Sequence, residues 1–156
     1  MKLRVLIGAA SLIFLVNLFL LQQQAHAESC EKVVHELNAG IWPKIDEQEL
    51  VEILRSLDST NNREIPLKFV TKRQARSQGW KPGNDLWSVR ALKGSSMGGD
   101  RFKNIEGQLP NKKWRDADLY YKGGHRGGKR LIFSSDGERF VTVDHYRTFV
   151  EVQICR

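Results

Sequence analysis

The sequence predicts an α+β fold, with N-terminal helices packed on a twisted antiparallel β-sheet of about four to five strands. Two observations carry this expectation. In the first half, apolar residues recur at helical spacing behind capping residues. Beyond Asp100, short apolar runs alternate with Gly- and Asp-containing turns. Helices followed by consecutive strands form the pattern of an α+β domain. The 156 residues leave room for one domain or two small ones, and 40% hydrophobic with 28% charged residues is a globular balance. Two widely separated cysteines supply neither a disulfide-dense miniprotein nor a zinc ribbon. A large multidomain enzyme and a polytopic membrane protein are excluded within this length.

The first helix is expected behind Ser29, with Cys30, Val33, Val34 and Leu37 on one face and Gly40 at its end. Asp46 and Glu49 have capping-box spacing and open a second helix carrying Leu50, Ile53, Leu54 and Leu57, broken by the polar residues 58–62. Thr71 and Gln74 repeat that spacing for a third helix, which stops at Gly79. Residues 80–99 read as turns, with a short helix near residues 85–90 and turn signals at Gly94 and Gly98-Gly99. Strands are expected at residues 101–106, 116–121, 130–134, 139–144 and 148–153. Gly123-Gly124, Gly127-Gly128 and Asp136-Gly137 lie in the connections.

Residues 1–27 read as an export signal rather than part of the fold. Lys2 and Arg4 precede an apolar run over residues 5–21, and Ala25-His26-Ala27 supplies a small-x-small cleavage site. The run is long for a signal and short for a spanning helix, so an uncleaved anchor is the alternative. Cleavage after Ala27 removes two cations and no acid, lowering the net charge from +7 to +5. Cys30 and Cys155 then lie near the two ends of residues 28–156. In an oxidising compartment they read as a disulfide, with buried or free thiols as the alternative. Closing so long a loop stabilises by roughly 4–5 kcal/mol on entropic grounds.

The groups able to do chemistry fall mostly in the strand-rich half. Asp116 follows Trp114-Arg115, Arg126 and Arg130 flank a glycine-containing turn with His125 adjacent, and His145 follows Asp144. Lys72 stands in the first turn of the third helix, where the helix dipole disfavours a cation. Each alone is ordinary for a basic protein. Together they match metal-free RNA cleavage. That reaction needs a base for the 2′-oxygen, an acid for the departing 5′-oxygen, and fixed positive charge around the phosphorus. No cluster has metal-ligand spacing, and no Gly-x-Ser-x-Gly is present.

From residue 70 to 152 the sequence resembles the barnase/binase family of secreted microbial ribonucleases, which preferentially cleave after guanosine. The resemblance rests on an ordered series of segments. These are Val70-Thr71-Lys72, Gly79-Trp80, Gly98-Gly99-Asp100-x-Phe102, Asn104-x-Glu106-Gly107-x-Leu109-Pro110 and Trp114-Arg115-Asp116-Ala117-Asp118. They continue with Arg126, the run Arg130-Leu131-Ile132-Phe133-Ser134-Ser135-Asp136, and Asp144-His145-Tyr146-x-Thr148-Phe149. The resemblance implies the microbial ribonuclease fold and assigns roles. His145 matches the general acid, and Lys72, Arg126 and Arg130 match the cations that stabilise the phosphate. Tyr146 matches an aromatic that contacts substrate. Glu106 matches the acceptor for the guanine edge, and the backbone of Lys103, Asn104 and Ile105 matches donors to the guanine oxygen. Asp118 matches the carboxylate that holds the arginines. The family needs no metal or cofactor.

Three positions depart from the family pattern. Asp116 stands where the general base is glutamate, one methylene further back, and a misplacement of about 1 Å can cost roughly 100-fold in rate. Ile105 replaces an arginine of the guanine loop, which weakens the case for strict base preference. His125 replaces an aromatic and is expected to stack on a base. Residues 28–156 are read as one ribonuclease domain, made of an N-terminal extension at 28–44 and a barnase-like core at 45–152. The expected protein is a secreted or periplasmic monomer acting on RNA, with no stable membrane association after signal cleavage. The resemblance also brings a small acidic barstar-like inhibitor as an expected partner. A non-catalytic RNA- or polyanion-binding module is the alternative.

Overall fold

The computed structural model describes residues 28–156, and the expected export signal at residues 1–27 lies outside the described residues. Helix α1 spans Cys30–Gly40 and starts where the Ser29 side chain accepts from the Lys32 N–H. Helix α2 spans Glu47–Ser59, capped by Asp46 accepting from the Glu49 N–H at 2.9 Å. The capping box foreseen there is only half made. The Glu49 side chain does not return to Asp46 but is buried, bonding Lys68 and the backbone N–H of Tyr120. Helix α3, Lys72–Ser77, has the complete box between Thr71 and Gln74. A 3-10 turn at Leu86–Ser88, capped by Asp85, stands where a short helix was expected, and a second follows at Arg90–Leu92.

Six strands form one sheet in chain order: β1 Phe69–Val70, β2 Ser96–Phe102, β3 Trp114–Asp118, β4 Arg130–Ser134, β5 Arg139–Thr142 and β6 Val150–Glu151. The count exceeds the expected four to five because β1 adds a two-residue strand parallel to β2, and all other pairs are antiparallel. Two residues carry too little alternation to be read as a strand from sequence.

Residues 96–100 read as turn but form the first five residues of β2, which ends at Phe102 instead of running to residue 106. Gly98 is there for packing. A β-carbon on it would lie 2.7 Å from Phe69 Cδ1 and 2.9 Å from Ile65 Cδ1. Gly99 takes φ +87 at an irregularity in the pairing with β3. The two glycines thus form a kink inside a strand, not its boundary.

The helical layer and one face of the sheet share the main core. Val33, Val34, Leu50, Ile53, Leu54 and Leu57 pack with Ala117, Leu131, Phe133 and Val141. Cys30 and Cys155 form a disulfide that joins α1 to the C-terminal segment, and Arg156 N–H donates to Glu28 O beside it. One face of α1, with Cys30, Val33 and Val34, is therefore built into the core. A second cluster around Trp80, Leu86, Leu92, Met97 and Tyr121 supports α3 and the following turns. A third, with Trp114 and Ile132 at its centre and Phe102, Tyr146 and Phe149 against it, lies under the opposite face of the sheet.

Candidate active site

The antiparallel register places Asp116 and Asp118 two residues apart on β3, hence on the same face, with Arg130 paired opposite Asp118 on β4. Asp118 is buried, accepts hydrogen bonds from one guanidinium group and pairs by charge with a second. Arg126 Nε and Nη2 each donate to it at 2.6 Å, while Arg130 Nε lies 2.8 Å from Oδ1, off the axis of a hydrogen bond. Arg130 Nη1 is fixed by the carbonyls of Gly127 and Lys129, each at 2.7 Å. One carboxylate thus holds two cations and leaves a net positive charge. Hydrogen bonding to Asp118 raises the Arg126 pKa further above its ordinary value.

Asp116 is also buried, and its Oδ2 accepts from the Tyr146 hydroxyl at 2.9 Å. Among the described residues its other oxygen takes no protein hydrogen bond. Burial pushes the Asp116 carboxyl above its usual range, Asp118 adds to this, and the Tyr146 hydrogen bond with the nearby charges of Lys72 and Arg126 opposes it. Burial and the charge of Asp116 push the Tyr146 phenol up to about 12, so it stays a donor. The Tyr146 ring stacks on Phe102, with centroids 5.0 Å apart, and faces the Arg130 guanidinium at 5.9 Å.

His145 and Tyr146 both have left-handed backbones, at φ 58 and 68. Bulky residues take such angles only where neighbours enforce them. The enforcing group is Asp144. Its Oδ1 accepts from the Arg147 and Thr148 N–H groups, each at 3.0 Å, and from Thr142 Oγ1 at 2.9 Å. Its Oδ2 accepts from Thr148 Oγ1 at 2.7 Å. The exposed imidazole of His145 lies over Gly128, where a β-carbon would come within 2.6 Å of Nδ1. Gly127-Gly128 was read only as a connection, and its second residue is the floor under the histidine. No signal in one sequence distinguishes that glycine from a turn glycine. Asp144 and Thr148 were visible as an Asp-x-x-x-Thr spacing.

Two hollows flank this centre. The first, about 230 Å³, is lined by Phe102, Lys103, Asn104, Ile105, Glu106, His145 and Tyr146 among others. Its loop is held by Asn104, whose side chain bonds the Leu109 carbonyl at 2.5 Å and N–H at 3.2 Å. The Ile105 N–H is turned inward to Lys103 O at 2.9 Å, which removes it from the donors expected to face a base. Ile105 itself projects into solvent, 86% exposed. The second hollow, about 460 Å³, brings together Lys72, Arg76, His125 and Arg126. The Lys72 N–H is anchored on Asp100 at 2.8 Å. The expected residues therefore divide between the two hollows, with Asp116 and Arg130 buried between them. His125 lies beside Lys72 and Arg126, away from the hollow formed by residues 102–106. A compact group of metal-ligand type among the described residues, Cys30, Asp58 and Cys155, contains the two bridged sulfurs.

Comparison with known proteins gives the family. The family model described as ribonuclease matches residues 55–153. The chain belongs to the ribonuclease family. A ribonuclease of Heyndrickxia coagulans is 40% identical over 96 residues, covering 58% of this chain and 85% of that protein. Ribonucleases of Bacillus intermedius and Bacillus pumilus are also 40% identical over 96 residues, and the match spans 57% of their length. The resemblance to the barnase/binase type of microbial ribonuclease stands, as does the α+β ribonuclease fold. Helix α1 and Cys30 lie before the family match, yet they pack into the same core.

Proposed function

We propose that this ribonuclease is an extracytoplasmic endonuclease that cuts single-stranded RNA 3′ of guanosine, by metal-independent transesterification followed by hydrolysis. Asp116 takes the proton from the 2′-hydroxyl, and the 2′-oxygen attacks phosphorus to form a 2′,3′-cyclic phosphate. The bond to the 5′-oxygen breaks, and His145 supplies that oxygen with a proton. In the second half water attacks the cyclic phosphate. His145 then takes the water's proton and Asp116 returns one to the 2′-oxygen. Lys72, Arg126 and Arg130 stabilise the charge on the phosphoryl oxygens. The observation that carries this reading is the Tyr146–Asp116 hydrogen bond. It seats a buried carboxylate, with one oxygen free of protein hydrogen bonds, against Tyr146, the chain neighbour of the exposed His145, and within the field of Lys72 and Arg126. The raised Asp116 pKa suits a base working near neutrality.

Glu106, with Lys103, Asn104 and Ile105 around it, is the guanine site in this reading, with Tyr146 as its wall. His125 stacks on a base of the substrate. Residues 1–27 act as an export signal, and residues 28–156 form a single, monomeric domain. The Cys30–Cys155 bridge favours an oxidising compartment. A small acidic inhibitor protein would cover the same basic cleft.

The test is cleavage, in EDTA, of matched short RNAs each carrying a single G, A, C or U. Cleavage 3′ of G with a cyclic-phosphate product is expected, and His145→Ala is expected to lose about 10²–10⁴-fold in rate. The Asp116→Glu variant reports what the shorter carboxylate costs. RNA binding without cleavage by any form would replace this reading with the non-catalytic binding module.

A further inference from the structure

The loop between β3 and β4, residues 119–129, carries Lys122, His125, Arg126 and Lys129 and no acidic residue. One flank delivers Arg126 to the cleft. The other carries an arrangement that the proposed chemistry does not use. Tyr120 has φ 61, a left-handed backbone that a bulky side chain rarely adopts. Its N–H is held by the buried Glu49 carboxylate of α2, and its side chain is left half in water. Lys122 Nζ and Lys129 Nζ stand 4.9 and 5.5 Å from the ring centroid. Among the described residues neither ammonium pairs with a carboxylate. Lys129 also donates to the Lys44 carbonyl, which closes a hollow of about 290 Å³ lined by Lys44, Ile45, Asp46, Tyr120 and Lys129. Two neighbours in that hollow are already engaged. Asp46 caps α2, and Lys44 Nζ bonds the last carbonyls of α1 at 2.5 and 3.0 Å.

An aromatic ring kept at the surface against its backbone preference, with two unneutralised ammonium groups beside it, has the chemistry that holds single-stranded nucleic acid. A base stacks on the ring and the lysines take phosphates. We propose that Tyr120, Lys122 and Lys129 form an RNA exosite that holds a part of the substrate strand remote from the scissile phosphate. The inference rests on the ribonuclease reading above, and it names a second contact for the same substrate. RNA is favoured over another polyanion because a single acid-free loop presents both Arg126 and this patch.

The experiment measures binding of fluorescent single-stranded RNAs of two and twelve nucleotides to the His145→Ala protein, by anisotropy at several salt concentrations. Changing Lys122 and Lys129 together to Ala is expected to weaken the twelve-nucleotide complex about tenfold. It should flatten its log–log salt slope by about 1.4, from two lost phosphate contacts. Tyr120→Ala is expected to weaken the same complex about tenfold, within the range for one base stack. In the His145 background, dinucleotide binding and cleavage should not change. Tyr120→Gly separates this role from folding, because it relieves the backbone and should raise Tm while still losing twelve-nucleotide affinity. Unchanged affinity for the long RNA, or equal losses for both lengths, would overturn the exosite. Loss of binding to phosphatidylglycerol vesicles with RNA affinity intact would overturn it too, by assigning the patch to a membrane surface. Length-dependent loss, together with no RNA cleavage by the protein that retains His145, would keep the exosite and remove the catalytic reading.

Discussion

Two arginine–aspartate clusters, each with a buried arginine, sit on this sheet, one at the start of β5 and one at the start of β4. At β5, Arg139 gives Nε and Nη2 to Asn62 Oδ1 at 2.9 and 2.7 Å, and Nη2 to Asp58 Oδ1 at 2.5 Å. There one cation meets one anion and one amide. At β4, two cations share Asp118, and Arg130 Nε lies off any hydrogen-bond axis. The difference separates a fastener from a site. A matched pair uses its charge inside the fold, whereas two guanidinium groups on one carboxylate keep positive charge and donor capacity for a phosphate. Burying unmatched charge costs stability, and it is tolerated here beside the open cleft.

The largest effect expected from breaking this contrast is at Asp118. Asp118→Ala leaves two largely buried arginines without their counter-ion. It should cost about 3–5 kcal/mol in urea unfolding and, at a temperature where the variant is folded, about 10²–10³-fold in kcat/KM on RNA. A variant that loses stability alone would reduce the β4 cluster to a second fastener. Arg139→Ala is the counterpart. Its partner Asp58 keeps some solvent contact, so the cost belongs near the lower end, about 3 kcal/mol. Activity per folded molecule should stay within about twofold, since Arg139 touches neither hollow. A large activity loss in Arg139→Ala would show that α2 and the end of the sheet position the cleft.

The parts of this molecule that could be read in the sequence are those whose cause is local. Ser29, Asp46 and Thr71 announce helix starts because a cap is a contact within three residues. Residues 130–134 match their strand end to end, since the apolar run Leu131-Ile132-Phe133 at its centre marks a fully buried strand. Cys30 and Cys155 could be paired because only two cysteines exist and residues 1–27 read as an export signal. The candidate site was legible as a set of residue types, Asp116, His145, Lys72, Arg126 and Arg130. Its arrangement was not. Glu49 has capping-box spacing but is drawn to Tyr120, 71 positions away, because the Tyr120 N–H needs an acceptor. Gly98 serves Phe69 and Gly128 serves His145. Such non-local contacts leave no trace in local pattern. The residue types around Arg139 and Arg126 are equally silent on which cluster is the fastener.

The smallest expected effect on stability separates two carboxylates whose proton affinities move in opposite directions. Burial would raise the Asp144 carboxyl, but its hydrogen bonds from Thr148, Thr142 and Arg147 outweigh that and hold it down to about 2. The folded state then binds fewer protons than the unfolded chain. Asp144 therefore contributes stability above the ordinary value of 3.8, and this is lost as pH falls towards about 2. Asp116 has the reverse sign, because its raised pKa makes the ionised form a cost to the fold once pH exceeds the folded value. Asp116→Asn should accordingly raise Tm at neutral pH while abolishing cleavage, and its advantage should shrink in acid. Asp144→Asn should lower stability at neutral pH, with a deficit that closes between about pH 4 and 2. It should also slow cleavage a few-fold, about 1 kcal/mol in the barrier, because the turn that sets His145 and Tyr146 at positive φ loosens. Urea midpoints for both variants at pH 7, 4 and 2.5 decide the matter. Parallel curves at all three would mean that neither carboxylate is tuned by its surroundings, and the cleft would then lack the poised base on which the mechanism depends.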